Sequence, residues 1–161
     1  MREKVHLSSP APAADSTFVP PVSRMVIAVL ALIGLLVSAY LALYKLGYLG
    51  AIQCGAGGCE TVQASEYSLL LGVPVALWGV GAYLFLLAVA LIGVQPRWAR
   101  VPSIAVLLFG LAAFGVVFSA YLTYLSGAVI GAFCQWCLVS AVVITLIFLF
   151  SLPGLRDLGR R

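Results

Sequence analysis

Four long apolar runs set the pattern of the chain. Residues 25–46 (MVIAVLALIGLLVSAYLALYKL) carry no charge before Lys45, and residues 71–94, 101–126 and 132–152 carry none. Each is long enough to cross a bilayer as a helix: a rise of 1.5 Å per residue needs roughly 20 residues to span about 30 Å of hydrocarbon. Isolated strands are excluded there, because lipid cannot satisfy unpaired backbone groups. The pattern predicts an all-α fold, an integral membrane bundle of four transmembrane helices. The first run is too long for a signal peptide and ends in no small-residue cleavage site, so it reads as a retained span. Residues 1–24, rich in Pro, Ala and Ser, cannot build a core and read as a disordered cytoplasmic tail. Residues 153–161 read as a second cytoplasmic tail.

Composition leads to the same class. The 161 residues are 63% hydrophobic and 9% charged, with a mean hydropathy of +1.15. A soluble domain of this size has too little interior for so much apolar surface, whereas lipid tails can cover it. The few charges fix an orientation. Arg2, Lys4 and Arg24 precede the first run, Arg97 and Arg100 lie between the second and third, and Arg156, Arg160 and Arg161 follow the fourth. Only Lys45 falls on the other side. The positive-inside bias therefore puts both termini and the 95–100 link in the cytoplasm, with residues 47–70 and 126–131 facing outward. Topology accounts for the net charge of +4, and no nucleic-acid partner is expected.

That orientation has a chemical consequence. Cys54 and Cys59 lie in the first outward loop (QCGAGGCETV), and Cys134 and Cys137 at the outer end of the fourth run (FCQWC). Every cysteine thus faces the side where disulfides form and persist. Cys134 and Cys137 share one helix face at i and i+3. A helix start offers free N–H groups that stabilise a thiolate, and Cys134 is the better placed to use them. The glycines between Cys54 and Cys59 give that loop freedom to swing, which suits a mobile pair visiting a fixed one. Two alternatives stay open. Four cysteines can hold zinc, although one half of such a site would lie in the bilayer and no metal is expected here. Two inert disulfides could staple loop to bundle, although a bridge between i and i+3 closes a small strained ring of the labile kind.

Other chemistries lack residues. The single histidine, His6, is in the tail, and no charge lies within a span interior to mark an ion or proton path. The GVGAY stretch at 79–83 reads as close helix packing. A redox relay needs an acceptor, and the outer membrane level offers aromatics: Phe133, Trp136, Tyr121, Tyr124, Trp78 and Tyr83. A flat, lipid-soluble quinone suits such a pocket. The same residues also fit the ordinary interfacial belt of a membrane protein.

Taken together, the C-x4-C pair, Ser65 six residues after Cys59, LGVP at 71–74, G-x-x-x-Y at 79–83 and FCQWC on the last helix resemble the vitamin K epoxide reductase family. The likeness covers about residues 25–152 and is strongest to bacterial members that make disulfides. It implies a four-helix bundle around a quinone, with a short extracytoplasmic loop helix at about 60–68 over the pocket. Cys134 and Cys137 match the active-site pair and Cys54 and Cys59 the shuttle pair. Cys59 would exchange with Cys134, Cys137 would contact the quinone and form an adduct with it, and Cys54 would meet an outside partner. Ser65 matches a serine that positions the loop. Bacterial members often carry a fused thioredoxin-like domain; nothing follows residue 161 here, so a separate extracytoplasmic thioredoxin-fold oxidant is expected as partner. Animal members have a tyrosine four residues after the last cysteine, where this chain has Ala141.

The resulting expectation is a multi-pass protein of the inner (plasma) membrane. It would act as a thiol:quinone oxidoreductase that reoxidises its partner with menaquinone or ubiquinone and so supports disulfide formation. Vitamin K epoxide reduction and a non-enzymatic, disulfide-stapled scaffold are the alternatives.

Overall fold

The computed structural model describes residues 22–55, 57–98 and 101–159. The expected tail through residue 21, with Arg2, Lys4 and His6, lies outside the described residues, as do Ala56, Arg100, Arg160 and Arg161. Among the described residues, four helices are long and apolar enough to cross a membrane. They are α1 (Val22–Lys45), α3 (Val75–Val94), α4 (Pro102–Leu125) and α5 (Gln135–Gly159). A short helix, α2 (Cys59–Ala64), precedes a single tight turn at Glu66–Ser68. The chain is therefore an all-helical, multi-pass membrane bundle apart from one small hairpin.

Each spanning helix is apolar on all sides, and packing separates inside from outside. In α1 the inward stripe is Ile27, Ala31, Gly34, Ser38 and Leu41, at helical spacing. It meets Tyr83, Leu86 and Ala90 of α3 and Val143, Ile144 and Ile147 of α5 in one buried cluster, which Ile104, Leu108 and Ala112 of α4 complete. Leu36, Phe85, Phe114, Val117 and Val142 point away from it, toward the lipid that such residues require. Helix α1 packs most closely on α3 and α5, and α4 packs on α5; α3 and α4 barely meet. That last gap becomes the site.

One crossing depends on a missing side chain. A Cβ on Gly34 would collide with the Tyr83 ring, so the ring packs directly against the α1 backbone. Its hydroxyl then reaches Ser140 of α5, 2.9 Å from both the carbonyl and Oγ. Gly34→Ala is expected to push the ring out and lower the detergent-solubilised protein's stability by about 1–3 kcal/mol, the usual cost of overpacking. A thermal unfolding curve unchanged by the substitution would contradict this packing.

The two ends of the bundle differ. At one, Arg24 Nη1 donates to the Gly93 carbonyl at 2.6 Å, tying the start of α1 to the end of α3. At the other lie residues 46–74 and 126–134. There the apolar run at 71–94 does not begin as helix. Leu69–Leu70 (β1) pairs antiparallel with Val73–Pro74 (β2), and the two-residue turn Leu71–Gly72 has positive φ at both positions, 54° and 78°. This is the mirror-image turn that matches strand twist. Past Leu125, α4 widens into one π-helical turn, Ser126–Ile130, ended by Gly131 in the left-handed region. Helix α5 continues beyond Pro153 to Gly159.

Candidate functional site

The site starts at the head of α5. Cys134 directly precedes the helix and its spanning segment Gln135–Arg156, and its carbonyl accepts the first helical hydrogen bond, from the Leu138 N–H at 3.0 Å. The first-turn N–H groups of α5 are therefore free to face its sulfur. A hydrogen bond from the Cys137 thiol holds Cys134 below the ordinary thiol range; burial opposes this, and the N–H groups of Cys137 and Trp136 add to it. That direction favours the thiolate at Cys134, the reactive form. Cys137, one turn further in, is half-buried, and both thiols are free.

The loop pair comes to the same place. Cys54 and Cys59 are joined as a disulfide. Gly57 and Gly58 turn the chain through the left-handed region, at φ 69° and 83°, into α2, which starts at Cys59. A Cβ on Gly58 would stand 2.9 Å from the Phe133 carbonyl oxygen, so only glycine lets the loop lie this close to the segment leading into α5. Cys59 and Cys134 are 0% and 1% exposed, and they share a buried cluster with Leu41, Ile52 and Val62. Cys54 and Cys137 pack at its margin. Two pairs some eighty residues apart in sequence are thereby gathered into one knot, with Cys59 and Cys134 innermost.

Hydrogen bonds hold the loop on both sides of this knot. The Trp136 indole Nε1 donates to the Gln53 carbonyl at 2.7 Å, the Gly55 N–H donates to Gln135 Oε1 at 3.1 Å, and the Gln53 N–H donates to the Tyr40 hydroxyl at 3.0 Å. At the far end of α2, Lys45 Nζ donates to the Gln63 carbonyl and, at 2.8 Å, to Ser68 Oγ. A cation at the end of a helix meets carbonyls left without helical partners. The Ser65 hydroxyl donates to the Val62 carbonyl at 2.7 Å, and that of Ser68 faces the carbonyls of Gln63 and Ser65. A six-residue helix does not persist alone, so these contacts are what seat α2.

Beneath α2 lies a cavity of about 920 Å³. Cys134 and Cys137 form part of its wall. Val62, Gln63, Ser65 and Ser68 line it from the loop, and Ser38, Leu86, Phe118 and Ser119 from the bundle. Phe85 and Phe114 line it too, and both are exposed, so it opens sideways to the lipid-facing surface where α3 and α4 separate. The walls are overwhelmingly apolar with hydroxyls interspersed. Among the described residues no group of three or more His, Cys, Asp or Glu is placed to hold a metal ion.

The sequence-derived candidates divide accordingly. Cys134, Cys137, Ser65, Phe133, Trp78 and Tyr83 line the cavity. Tyr121 and Tyr124 do not, and both face outward. Trp136 is also absent from the wall: its ring stacks edge-on against Tyr40, centroids 5.2 Å apart, and its N–H is spent on the loop. Sequence reasoning missed Lys45, Gln135 and Tyr40 as loop contacts. For Lys45 a signal existed, since a lone cation at the loop end of a span calls for a partner. It also missed Ser140, whose bond to Tyr83 only the fold brings about.

A sequence model described as the Vitamin K epoxide reductase family matches residues 25–152, from the first spanning helix to the last.

Proposed function

The chain belongs to the vitamin K epoxide reductase family, a family of membrane oxidoreductases, and from that premise we propose that it is a thiol:quinone oxidoreductase supporting disulfide formation. One observation carries the reading: both cysteine pairs share one buried cluster, and Cys134 and Cys137 of that cluster line an apolar cavity that opens to the lipid-facing surface. One substrate of such a site is a protein thiol in water and the other a molecule dissolved in the membrane. That is the reason a reactive pair stands at the edge of the hydrocarbon. The proposed orientation puts the cysteine end outside the cytoplasm of a plasma (inner) membrane, with Arg24, Arg97 and Arg156 on the cytoplasmic side.

The relay runs in balanced steps. A reduced thioredoxin-fold partner attacks the Cys54–Cys59 disulfide at Cys54, the less buried of the two sulfurs, and leaves as its own disulfide, so that Cys54 and Cys59 become thiols. The Cys59 thiolate then attacks Cys134 of an oxidised Cys134–Cys137 pair and releases the Cys137 thiolate. Cys54 in turn attacks Cys59, re-forming the loop disulfide and freeing Cys134. Two electrons have moved inward. A quinone in the cavity supplies the final acceptor chemistry, taking up two electrons and two protons as Cys134–Cys137 closes again.

The cavity suits that acceptor. Its volume is within the range of small-molecule sites, the aromatic side chains of Phe118, Trp78 and Phe133 line it, and the gap between α3 and α4 leaves a path for a hydrocarbon tail. Ala141, where animal members have tyrosine, favours a quinone over an epoxide as the reducible group. Filling the cavity tests the reading. Ser119 lines it from α4. With a small dithiol as reductant and a soluble quinone analogue followed by absorbance, Ser119→Phe is expected to raise the quinone KM at least about tenfold through lost pocket volume. Reduction of the loop disulfide is expected to stay at the wild-type rate. An unchanged KM would place the acceptor elsewhere.

A further inference from the structure

The two residues between the reactive cysteines of α5 have no part in the relay as described. Gln135 and Trp136 nevertheless bond the residues on either side of Cys54. The Trp136 indole N–H is bonded to the carbonyl of Gln53, and the Gln135 side-chain oxygen to the N–H of Gly55, so the residues on both sides of Cys54 are gripped from within the C-Q-W-C segment. Tyr40 of α1 completes the grip by accepting the Gln53 N–H, and it also stacks edge-on against Trp136. All three bonds go to loop backbone atoms or stop at them, and none involves a sulfur. Gln53 and Gly55 are themselves exposed, so burial of the loop does not hold them.

We propose that Gln135 and Trp136, with Tyr40 behind them, form a latch that sets how long the shuttle loop stays docked on the active-site pair. The inference rests on the relay reading above and adds a regulating role to it. The loop faces two conflicting demands. Exchange between Cys59 and Cys134 requires it docked, with both sulfurs buried together. Exchange between Cys54 and a folded partner requires it accessible. A grip of two or three single hydrogen bonds, each worth about 0.5–1.5 kcal/mol net, biases such an equilibrium without freezing it. Because the donor and acceptor side chains sit between Cys134 and Cys137, docking is read at the same half-turn of helix where the sulfurs react. Gln135 and Trp136 are positioning residues here, since they act on Cys59 and Cys54 through the loop.

The latch predicts effects of opposite sign, which a merely structural role would not produce. The comparison uses Gln135→Ala combined with Trp136→Phe, which keeps an aromatic ring against Tyr40 and removes the N–H. The first readout places the pair of changes in a Cys54→Ser, Cys137→Ser background and oxidises the remaining Cys59 and Cys134 with diamide, which accepts the two electrons and two protons. Formation of the Cys59–Cys134 disulfide, followed by mass spectrometry, is expected to slow about tenfold on loss of two hydrogen bonds. The second readout keeps all four cysteines and follows reduction of Cys54–Cys59 by a reduced thioredoxin-fold protein. That rate is expected to rise about threefold to tenfold as the loop spends more time free. Two unchanged rates, or two rates that fall together, would overturn the latch. A wild-type protein that reduces no quinone would instead defeat the relay reading, and both loop measurements would still report on the latch.

Discussion

Cys137→Ala is expected to cut thiol-driven quinone reduction by more than about 10³-fold, the scale at which loss of a reacting nucleophile is felt. The argument is positional. Cys134 is 1% exposed and packed beneath the loop against Cys59, whereas Cys137 lies one helical turn deeper along the cavity wall. In the proposed relay, electrons that arrive at Cys134 leave through Cys137, the other free thiol among the described residues. The loop lies upstream of that block, so reduction of Cys54–Cys59 by the partner is expected to persist in the variant. Cys59→Ala should show the complementary pattern: partner-driven turnover is lost, while a small dithiol that reaches Cys134–Cys137 directly still supports quinone reduction. Assays of both variants with both reductants separate the two halves of the relay. A Cys137→Ala protein that consumed quinone at a comparable rate would break the order of transfer.

The second large effect is expected at a residue without a side chain. Gly58 meets two demands at once: a backbone φ of 83° and a Cβ position 2.9 Å from the Phe133 carbonyl oxygen and 3.3 Å from the Ala132 Cβ. Left-handed backbone costs a residue with a Cβ about 1–2 kcal/mol, and the clash with backbone atoms cannot be relieved by turning a rotamer. Gly58→Ala must therefore lift the start of α2, and Cys59 with it, away from Cys134. Partner-driven turnover is expected to fall about 10- to 100-fold, because misplacement of reacting groups by an ångström is that costly. Gly57 is the matched control. It has a φ of 69° and nothing within 4 Å of its Cβ position, so Gly57→Ala carries the conformational cost without the clash. Turnover measured side by side should show the larger loss at Gly58. Equal losses would mean that backbone strain, and not contact with residues 132–133, governs the loop.

Much of the architecture was legible because membrane spans write themselves as length. Four apolar runs of more than twenty residues became the four spanning helices α1, α3, α4 and α5. The hairpin at 69–74 was not legible, since Leu71 and Val73 read as the start of the second run and Leu69 and Leu70 as the end of the outward loop. The only local signal of a turn was Gly72 with Pro74 after it. The cysteines were legible by spacing, and the structure brings all four together. The aromatics were not separable by type. Tyr83 and Tyr121 look alike in sequence, yet Gly34 opens a slot for the first, while the second falls off the inward stripe of α4 that runs through Ile104, Leu108 and Ala112. Trp136 is the instructive case. A tryptophan at that depth suits a pocket wall or a belt equally, and the choice was made by a backbone carbonyl at Gln53, eighty-three residues away. Such contacts depend on where a loop returns, and no local pattern encodes that.

The most direct test of the central claim is a single titration. The purified protein, in detergent with a soluble quinone analogue, receives a known amount of a reduced thioredoxin-fold protein, and the loss of quinone absorbance is followed beside the appearance of the partner's disulfide. The relay predicts one quinone reduced per partner disulfide formed, and no absorbance change when Cys137 is replaced by alanine. A flat trace from the wild-type chain, with Cys54–Cys59 left intact by the partner, would contradict the relay and leave the four cysteines as staples of a membrane scaffold.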